Sequence, residues 1–303
     1  MNRNVIAPLA CVALVVISTD VSSAQRRGGG PPGGPGRGGR PTTGTVERIT
    51  VRGKALEGNR EGDSPERAVT VYLPPGYAVD EKRRFPTVYL LHGEDGSENT
   101  FVDQAFALQQ SADRLAAAQG FSEFIVVTPN AMPVKGAMYA SSATTADWER
   151  FIADDLVSSI DSRFRTLTHR MSRGIAGHDA GGLAALRIGM KRPEVFANLY
   201  AMSPSAGDGV TAEVAKHAAN LDVYYAISID VGAADPSLQA TRQLHDALTK
   251  LRIPHAYAEY DGDRSNRIRE RIESSVLPFF ARNLASPANL TSPSPSADRL
   301  PGR

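Results

Sequence analysis

The sequence predicts an α/β domain with a mostly parallel, twisted sheet, two antiparallel strands at its N-terminal end and helices on both faces. Short apolar, β-branched segments alternate along the chain with longer segments whose apolar residues recur every three or four positions. The first pattern is typical of strands covered on both faces, and the second is typical of amphipathic helices. Their alternation favours a parallel sheet, because helices then connect successive strands across its faces.

The predicted strands are of two kinds. Val46–Val51 and Val69–Leu73 alternate apolar with polar or amphipathic residues, which indicates half-buried antiparallel strands. The later segments are apolar almost throughout, as buried parallel strands are, and these are Thr87–Leu91, Phe124–Thr128, Leu199–Met202 and Val223–Ile229.

Helical periodicity predicts the helices Phe101–Ala118, Trp148–Phe164, Gly181–Met190, Leu238–Leu251 and Arg267–Asn283. In the second of these, the apolar residues form one stripe with a period near 3.6. Trp148 belongs to that stripe, so it is interpreted as a core residue rather than as a platform for a ligand.

The N-terminal segment, residues 1–24, predicts an export signal. A positive Arg3 precedes the apolar stretch Val5–Ile17, and small residues lead up to Ala24 as a cleavage position. The apolar stretch is short for a membrane span, and an uncleaved anchor is the alternative. Cleavage would remove Cys11, the single cysteine, and leave no thiol for a disulfide, a nucleophile or a metal site. We therefore expect a secreted or periplasmic protein with no membrane insertion after cleavage.

Two further segments have compositions that are typical of disordered chain. Residues 25–45 are rich in Gly, Pro and Arg and predict a flexible linker, and residues 285–303 are rich in Ser and Pro and predict a flexible tail. Residues 46–284 are long enough for one large domain. That domain is mildly acidic, which argues against a nucleic-acid partner although the linker is basic.

One turn in the predicted domain has the frame of a catalytic motif. Gly177-His178-Asp179-Ala180-Gly181 has the spacing of a nucleophile elbow, G-x-S-x-G, in which a strand turns sharply into a helix, and Asp179 stands at the nucleophile position. A carboxylate is chemically competent as a nucleophile. It is also a good residue to begin a helix, because it accepts hydrogen bonds from the first N–H groups and interacts favourably with the helix dipole.

The sequence HGEDG, which follows the third predicted strand, predicts an oxyanion-binding loop. The backbone N–H groups of Gly93 and Glu94, together with that of Ala180 after the elbow, are the candidate donors. His92 is expected to have a structural role beneath this loop. Glu94 and Asp95 either point inward and oppose a developing anion, or are solvated turn residues.

Two more strand-end loops complete the candidate site. Asp235 follows a strand in the chain order expected of a triad acid, and could also cap the helix that begins near Ser237. The last loop, Tyr260–Asn266, is where a catalytic histidine would stand, yet it contains none. Arg264 occupies that loop and cannot act as a base, because arginine stays protonated. The catalytic candidates are therefore Asp179 at the nucleophile position, Asp235 at the acid position and Arg264 at the base position.

The stretch Asp147–Ser205 resembles the esterase D-like branch of the α/β-hydrolases, which includes feruloyl esterases, S-formylglutathione hydrolases, enterochelin esterases and mycolyltransferases. Leu90–Asn99 resembles the oxyanion loop of that family, and Ile229–Asp235 resembles its acid loop. The resemblance implies an α/β-hydrolase fold over nearly all of residues 46–284, an ester-like or other small-molecule ligand, and no cofactor. Active members carry a serine nucleophile and a histidine base at the two positions that hold aspartate and arginine here.

Three functional hypotheses follow. The first is a catalytically degenerate esterase-like protein, a pseudoenzyme, in which Arg264 lies between Asp179 and Asp235 in an ion-paired cluster. The second is an active hydrolase with Asp179 as its nucleophile, in the manner of dehalogenases and epoxide hydrolases, although no base is evident. The third is residual ester hydrolysis through the oxyanion donors alone, or through Ser203 or Ser205. A metal site at the acidic residues of the elbow and the oxyanion loop is the remotest alternative, because no ligand spacing supports it.

Overall fold

The computed structural model describes residues 43–133, 138–139, 141, 146–207 and 209–286. The predicted export signal and most of the predicted linker and tail lie outside these residues. At the two ends of the described chain, the Gly44 N–H donates to the Asp113 carboxylate (2.8 Å) and the Ala285 N–H donates to the Met171 carbonyl (2.9 Å). Gly44 and Ala285 therefore contact the domain just outside its predicted limits of 46 and 284, and those limits stay a prediction.

The sheet has eight strands in the order β1-β2-β4-β3-β5-β6-β7-β8. Strand β2 is antiparallel to both β1 and β4, and every other neighbouring pair is parallel. The predicted mostly parallel sheet with antiparallel strands at its N-terminal end is confirmed. The strands are β1 Thr45–Arg52, β2 Glu66–Leu73, β3 Thr87–Leu91, β4 Ile125–Pro129, β5 Arg173–His178, β6 Asn198–Met202, β7 Ala226–Gly232 and β8 Ala256–Tyr260.

The α-helices are α1 Pro75–Val79, α2 Leu108–Ala116, α3 Trp148–Arg150, α4 Val157–Arg163, α5 Ala180–Lys191, α6 Val210–Lys216, α7 Ala218–Asp222, α8 Leu238–Lys250, α9 Ile268–Arg271 and α10 Leu277–Asn283. The π-helical segment Phe151–Leu156 joins α3 to α4, and Ile272–Val276 joins α9 to α10 in the same way. Short 3-10 turns lie at Lys54–Leu56 and Arg170–Ser172. Among the described residues, no helix is both long enough and apolar enough to cross a membrane.

Among the predicted boundaries that differ from the structure, two differ for local backbone reasons. The helix predicted to begin at Phe101 begins at Leu108, because Ala107 takes a left-handed backbone conformation (φ 49°) that ends the preceding turns. The strand predicted from Val223 begins at Ala226, because the residues before it close helix α7 through a bond from the Tyr224 N–H to the Leu221 carbonyl.

Each face of the sheet carries its own hydrophobic core. Alternate residues along a strand point to opposite faces, so Tyr89 and Leu91 of β3 pack in one core while Val88 and Leu90 pack in the other. The first core includes the helices around Trp148 together with α5 and α8, and the second includes α2 and the α9–α10 helix. Trp148 is fully buried in the first core, which confirms its predicted role. The carboxyl ends of the parallel strands thus lie together at one edge of the sheet, between two packed cores.

Candidate functional site

The elbow after β5 has the backbone that its sequence predicts. Asp179 lies between β5 and α5 with φ 57° and ψ −119°, a conformation that is unfavourable for residues other than glycine. A Cβ atom on Gly177 would lie 2.1 Å from the Gly181 carbonyl oxygen, and one on Gly181 would lie 2.2 Å from the Leu91 carbonyl oxygen. Strand, helix and oxyanion loop approach so closely that both glycines are required.

The three candidate side chains meet at the edge of the sheet. The Arg264 guanidinium donates through Nη1 to Asp179 Oδ1 and through Nη2 to Asp235 Oδ1, the second bond being 2.8 Å long. Nη2 also donates to Ser237 Oγ at 2.8 Å. The side chain of Asp235 is fully buried, that of Asp179 is 11% exposed and that of Arg264 is 24% exposed. The predicted ion-paired cluster is therefore present, and its consequence for catalysis stays a prediction.

The arginine of this cluster stays protonated. Burial lowers the pKa of Arg264, but the hydrogen bond to Asp235 and the charges of Asp179 and Asp235 outweigh that effect and raise the pKa above its usual value. Arg264 is therefore a fixed cation at the position predicted for a catalytic base. Asp235 also accepts the Ser237 N–H at 2.7 Å, but Ser237 is the N-cap of α8 and no side chain caps that helix, so Asp235 braces the turn before α8 and the predicted role as its cap was wrong.

The oxyanion loop presents one of its donors to Asp179 itself. The Glu94 N–H donates to Asp179 Oδ2 at 3.3 Å. Ala180 is the first residue of α5, so its N–H is one of the helix donors that have no partner within the helix. Gly93 lies directly beneath the elbow, where an added Cβ would be 3.0 Å from Asp179 Cβ. The predicted oxyanion donor Glu94 N–H is thus already bound to a negative oxygen of the protein.

The acidic side chains of this loop are turn residues. Glu94 and Asp95 are both exposed, and Asp95 has a left-handed backbone (φ 58°) within a turn closed by the Gly96 N–H and the Gly93 carbonyl. Of the two predicted alternatives, the structure supports solvated turn residues. They line the mouth of a cleft in front of the elbow.

His92 has the structural role that was predicted for it. The side chain is fully buried, and its Nε2 accepts the Ala131 N–H at 3.2 Å, which leaves the proton on Nδ1 to donate to the Gly93 carbonyl at 2.9 Å. His92 therefore joins the oxyanion loop to the segment after β4.

His178, the residue before the elbow aspartate, holds the loop that carries Arg264. Its Nε2–H donates to the Arg264 carbonyl at 2.8 Å. The same loop is fixed by the Ala234 N–H, which donates to the Gly262 carbonyl at 2.9 Å. Adjacent residues of the elbow thus bind both the backbone and the side chain of Arg264. Nothing in the sequence indicated this contact.

A second buried network lies behind the site, and sequence analysis missed it. Arg271 of α9 pairs with Asp230 at the end of β7, its Nε lying 3.3 Å from Asp230 Oδ2, and Tyr200 donates to the same oxygen at 3.0 Å. Ser203 Oγ accepts from Arg271 Nη2 at 3.1 Å and lies 2.6 Å from the Tyr260 hydroxyl. Ser203 is fully buried in this network. The hypothesis that Ser203 is a nucleophile was therefore wrong, because no substrate can reach its oxygen.

The cleft in front of the elbow has a volume of about 610 Å³. One side of it is a single face of α5, because the lining residues of that helix recur at helical spacing from Ala180 to Lys191. Ser205, the other serine proposed from the sequence, lines this cleft, and its N–H donates to the Asp179 carbonyl at 3.1 Å. Among the residues that the structure describes, no group of three or more His, Cys, Asp or Glu side chains could hold a metal ion, so Glu94, Asp95 and Asp179 do not form a metal site.

Comparison with known protein families identifies the family of this chain. Residues 64–268 match the model of the family described as "Putative esterase". The chain belongs to this esterase family. A curated relative of this esterase-family chain, the endo-1,4-beta-xylanase/feruloyl esterase of Xylanibacter ruminicola, is 30% identical to it over 140 residues, which are 45% of the chain and 19% of the relative. The chain thus spans less than a fifth of that relative's length.

Solved structures show the same architecture. A ferulic acid esterase superposes on the esterase-family chain with a TM-score of 0.70 at 23% identity, covering 79% of this chain and 99% of the other. A mutant of the feruloyl esterase module from Clostridium thermocellum, complexed with sinapinate, has a TM-score of 0.65 at 19% identity. The match covers 80% of this chain and 90% of the module. An S-formylglutathione hydrolase from Staphylococcus aureus has a TM-score of 0.64 at 15% identity, and the match covers 78% of this chain and 99% of the hydrolase. These likenesses confirm the predicted α/β-hydrolase fold.

The buried histidines of this esterase-family chain predict that its stability falls in mild acid. Burial lowers the pKa of both His92 and His178 below the value near 6.5 of an unfolded histidine. As the pH falls, these histidines therefore become protonated in the unfolded chain before they do so in the folded protein. We expect the free energy of unfolding to be insensitive to these groups above the unfolded pKa and to fall as the pH drops towards the folded values. Urea unfolding at several pH values between about 7.5 and about 5 measures how steeply the free energy of unfolding falls with pH.

The matched variant for this measurement is His178→Gln, which keeps a donor to the Arg264 carbonyl but does not titrate. Its stability is expected to decline less steeply with acid than that of the wild type. Equal slopes for the two proteins would contradict the assignment to His178.

Proposed function

We propose that this chain is a catalytically degenerate member of its esterase family, which keeps a cleft for a small-molecule or ester-like ligand but no longer hydrolyses esters by nucleophilic attack at the elbow. The proposal is carried by one observation, the contact of Arg264 with both Asp179 and Asp235. A serine esterase needs a base that takes a proton from its nucleophile. Here a permanent cation is bound between the nucleophile position and the acid position.

The contacts of Asp179 argue against its use as a nucleophile. Its Oδ1 accepts from Arg264 and its Oδ2 accepts from the Glu94 N–H. Hydrogen bonds to both oxygens stabilise the carboxylate and so make it a weaker nucleophile. The second step of such a mechanism, hydrolysis of the ester intermediate, needs a water activated by a positioned base. Among the described residues, the side-chain partners of Asp179 and Asp235 include no imidazole.

The cleft supports retention of a ligand. It combines an apolar middle with polar and charged groups at both ends, and such convergent polar groups orient ligands in small-molecule sites. Relatives include feruloyl esterases, and the structure of one from Anaeromyces mucronatus is a complex with ferulic acid. The N-terminal segment further supports a secreted or periplasmic location.

The proposal is tested by comparing the wild type with Asp179→Asn on short p-nitrophenyl esters and with a fluorophosphonate probe. We expect neither protein to hydrolyse the esters faster than buffer does, and the probe to add no mass to any serine. Ester turnover by the wild type that Asp179→Asn abolishes would support the alternative of an aspartate nucleophile. Labelling that Ser205→Ala removes would instead identify an activated serine in the cleft.

A further inference from the structure

We infer that the cleft of this protein binds a ligand with a protonated amine at the elbow end and an apolar body along α5. The inference rests on the proposed function, because it treats the cleft as a binding site without hydrolysis at the elbow. It goes beyond that function by assigning the charge of the ligand.

The cleft is elongated along one helix. The residues of α5 that line it run from Ala180, beside the elbow, to Lys191 at the other end of the helix. The eleven steps from the first to the last residue of this helix rise about 16.5 Å. This length accommodates an extended ligand whose two ends lie in different surroundings.

The middle of the cleft is apolar. Leu183 and Ile188 of α5 face Met132, Met138 and Tyr139 from the chain after β4. Of these side chains, Ile188 and Tyr139 are buried. An aromatic or alkyl group fits such a lining, because its burial removes apolar surface from water.

Most charges on the cleft wall are already neutralised. Arg187 donates to Glu213 through two nitrogens, with Nη2 2.7 Å from Oε1, and Lys191 Nζ lies 2.6 Å from Glu149 Oε2. These pairs join α5 to α6 and to α3, and contribute no net charge to the cleft.

The remaining charges make the elbow end acidic. Among the described residues, the lining charges without an ion-pair partner are Glu94 and Asp95 at the elbow end and Lys216 on α6. Behind the two acidic residues, the cluster of Asp179, Asp235 and Arg264 adds a net charge of about −1 when its groups have their usual charges at neutral pH. The elbow end therefore attracts cations.

Hydrogen bonding at the elbow end favours the same chemistry. Ionised carboxylates only accept hydrogen bonds, and the one loop N–H that contacts the cluster, that of Glu94, already donates to Asp179. An ammonium group donates up to three hydrogen bonds to such acceptors, whereas a ligand carboxylate would meet like charge.

The test compares three probes with the same phenyl group, namely phenethylamine, hydrocinnamate and phenethyl alcohol, by isothermal titration calorimetry at neutral pH and low salt. We expect the amine to bind at least about tenfold more tightly than the carboxylate, with the alcohol between them, and its affinity to weaken as salt is added. Binding of hydrocinnamate as tight as that of phenethylamine, or binding of none of the probes, would overturn the inference.

Variants locate the preference within the cleft. Glu94→Gln/Asp95→Asn is expected to reduce the amine-to-carboxylate affinity ratio at least about fivefold, because it removes the two unpaired negative charges. Asp246→Asn removes an exposed carboxylate of α8 outside the cleft lining and should leave the ratio unchanged. If both variants changed the affinity ratio equally, the preference for the amine would arise from the net charge of the protein, and the assigned site would be overturned. Ester hydrolysis is assayed separately, so failure of the proposed function is distinguishable from failure of this inference.

Discussion

The double variant Asp179→Ser/Arg264→His is expected to hydrolyse short p-nitrophenyl esters at least about a hundredfold faster than the wild type. General-base catalysis contributes about 10²–10⁴-fold, and it requires a nucleophile and a base together. The elbow glycines, the oxyanion loop and Asp235 are already in place around these two positions. The two substitutions therefore introduce the serine and histidine that the resemblance to active esterases implies, without changing the frame that positions them.

The surroundings of Arg264 favour a functional histidine there. Asp235 Oδ2 is buried and has no hydrogen-bond partner among the described residues, so it offers a free acceptor to an imidazole N–H. The backbone at position 264 is held by the His178 Nε2–H, independently of the side chain. Replacing Asp179 by serine also removes the oxygen that accepts the Glu94 N–H, which returns that donor to an ester oxyanion.

The single variants are the matched controls for this gain. Asp179→Ser alone has a hydroxyl next to a cation that cannot accept its proton, and Arg264→His alone has a base with no hydroxyl to activate, so both are expected to stay near the wild-type rate. Triad members act as a unit, and their effects are strongly non-additive. Initial rates for the wild type and the three variants measure this directly. A rate for Asp179→Ser equal to that of the double variant would show that residue 264 is not the base.

The parts of this molecule that sequence could predict are those governed by local patterns. Strand β3 was predicted to the residue, because a β-branched apolar run between turn residues has few alternatives. The meeting of Asp179, Asp235 and Arg264 was also predictable, since the carboxyl ends of parallel strands lie at one edge of the sheet. Opposite charges that converge in this way were expected to pair.

The parts that sequence could not predict depend on side-chain contacts between distant segments. Ser203 was a candidate nucleophile because it follows a strand, yet Arg271 and Tyr260 cover it from the last third of the chain. Neither residue has a local pattern that indicates this contact. In the same way, His178 and Arg264 are separated by 86 positions, and no periodicity predicts a bond between a ring nitrogen and a backbone carbonyl.

Arg271→Met is expected to lower the free energy of unfolding by about 3–5 kcal/mol, because it leaves Asp230 as a buried charge without a cation. Asp230 and Arg271 are 3% and 5% exposed, so water cannot replace the lost partner. The substitution also removes the donor to Ser203 and the guanidinium that lies 4.1 Å from the centre of the Tyr260 ring. Urea unfolding of variant and wild type at neutral pH measures the change.

Two comparisons separate the buried charge from the loss of an arginine. Arg114→Met removes a guanidinium whose pair with Glu273 is 59% and 26% exposed, and such a pair contributes about 0.2–1 kcal/mol, so this control should be nearly as stable as the wild type. Asp230→Asn/Arg271→Met removes both charges and should recover part of the loss, because a neutral amide costs less to bury than a lone carboxylate. A double variant no more stable than Arg271→Met would contradict the electrostatic explanation. It would assign the effect to packing of the loop between β8 and α9, which also carries Arg264.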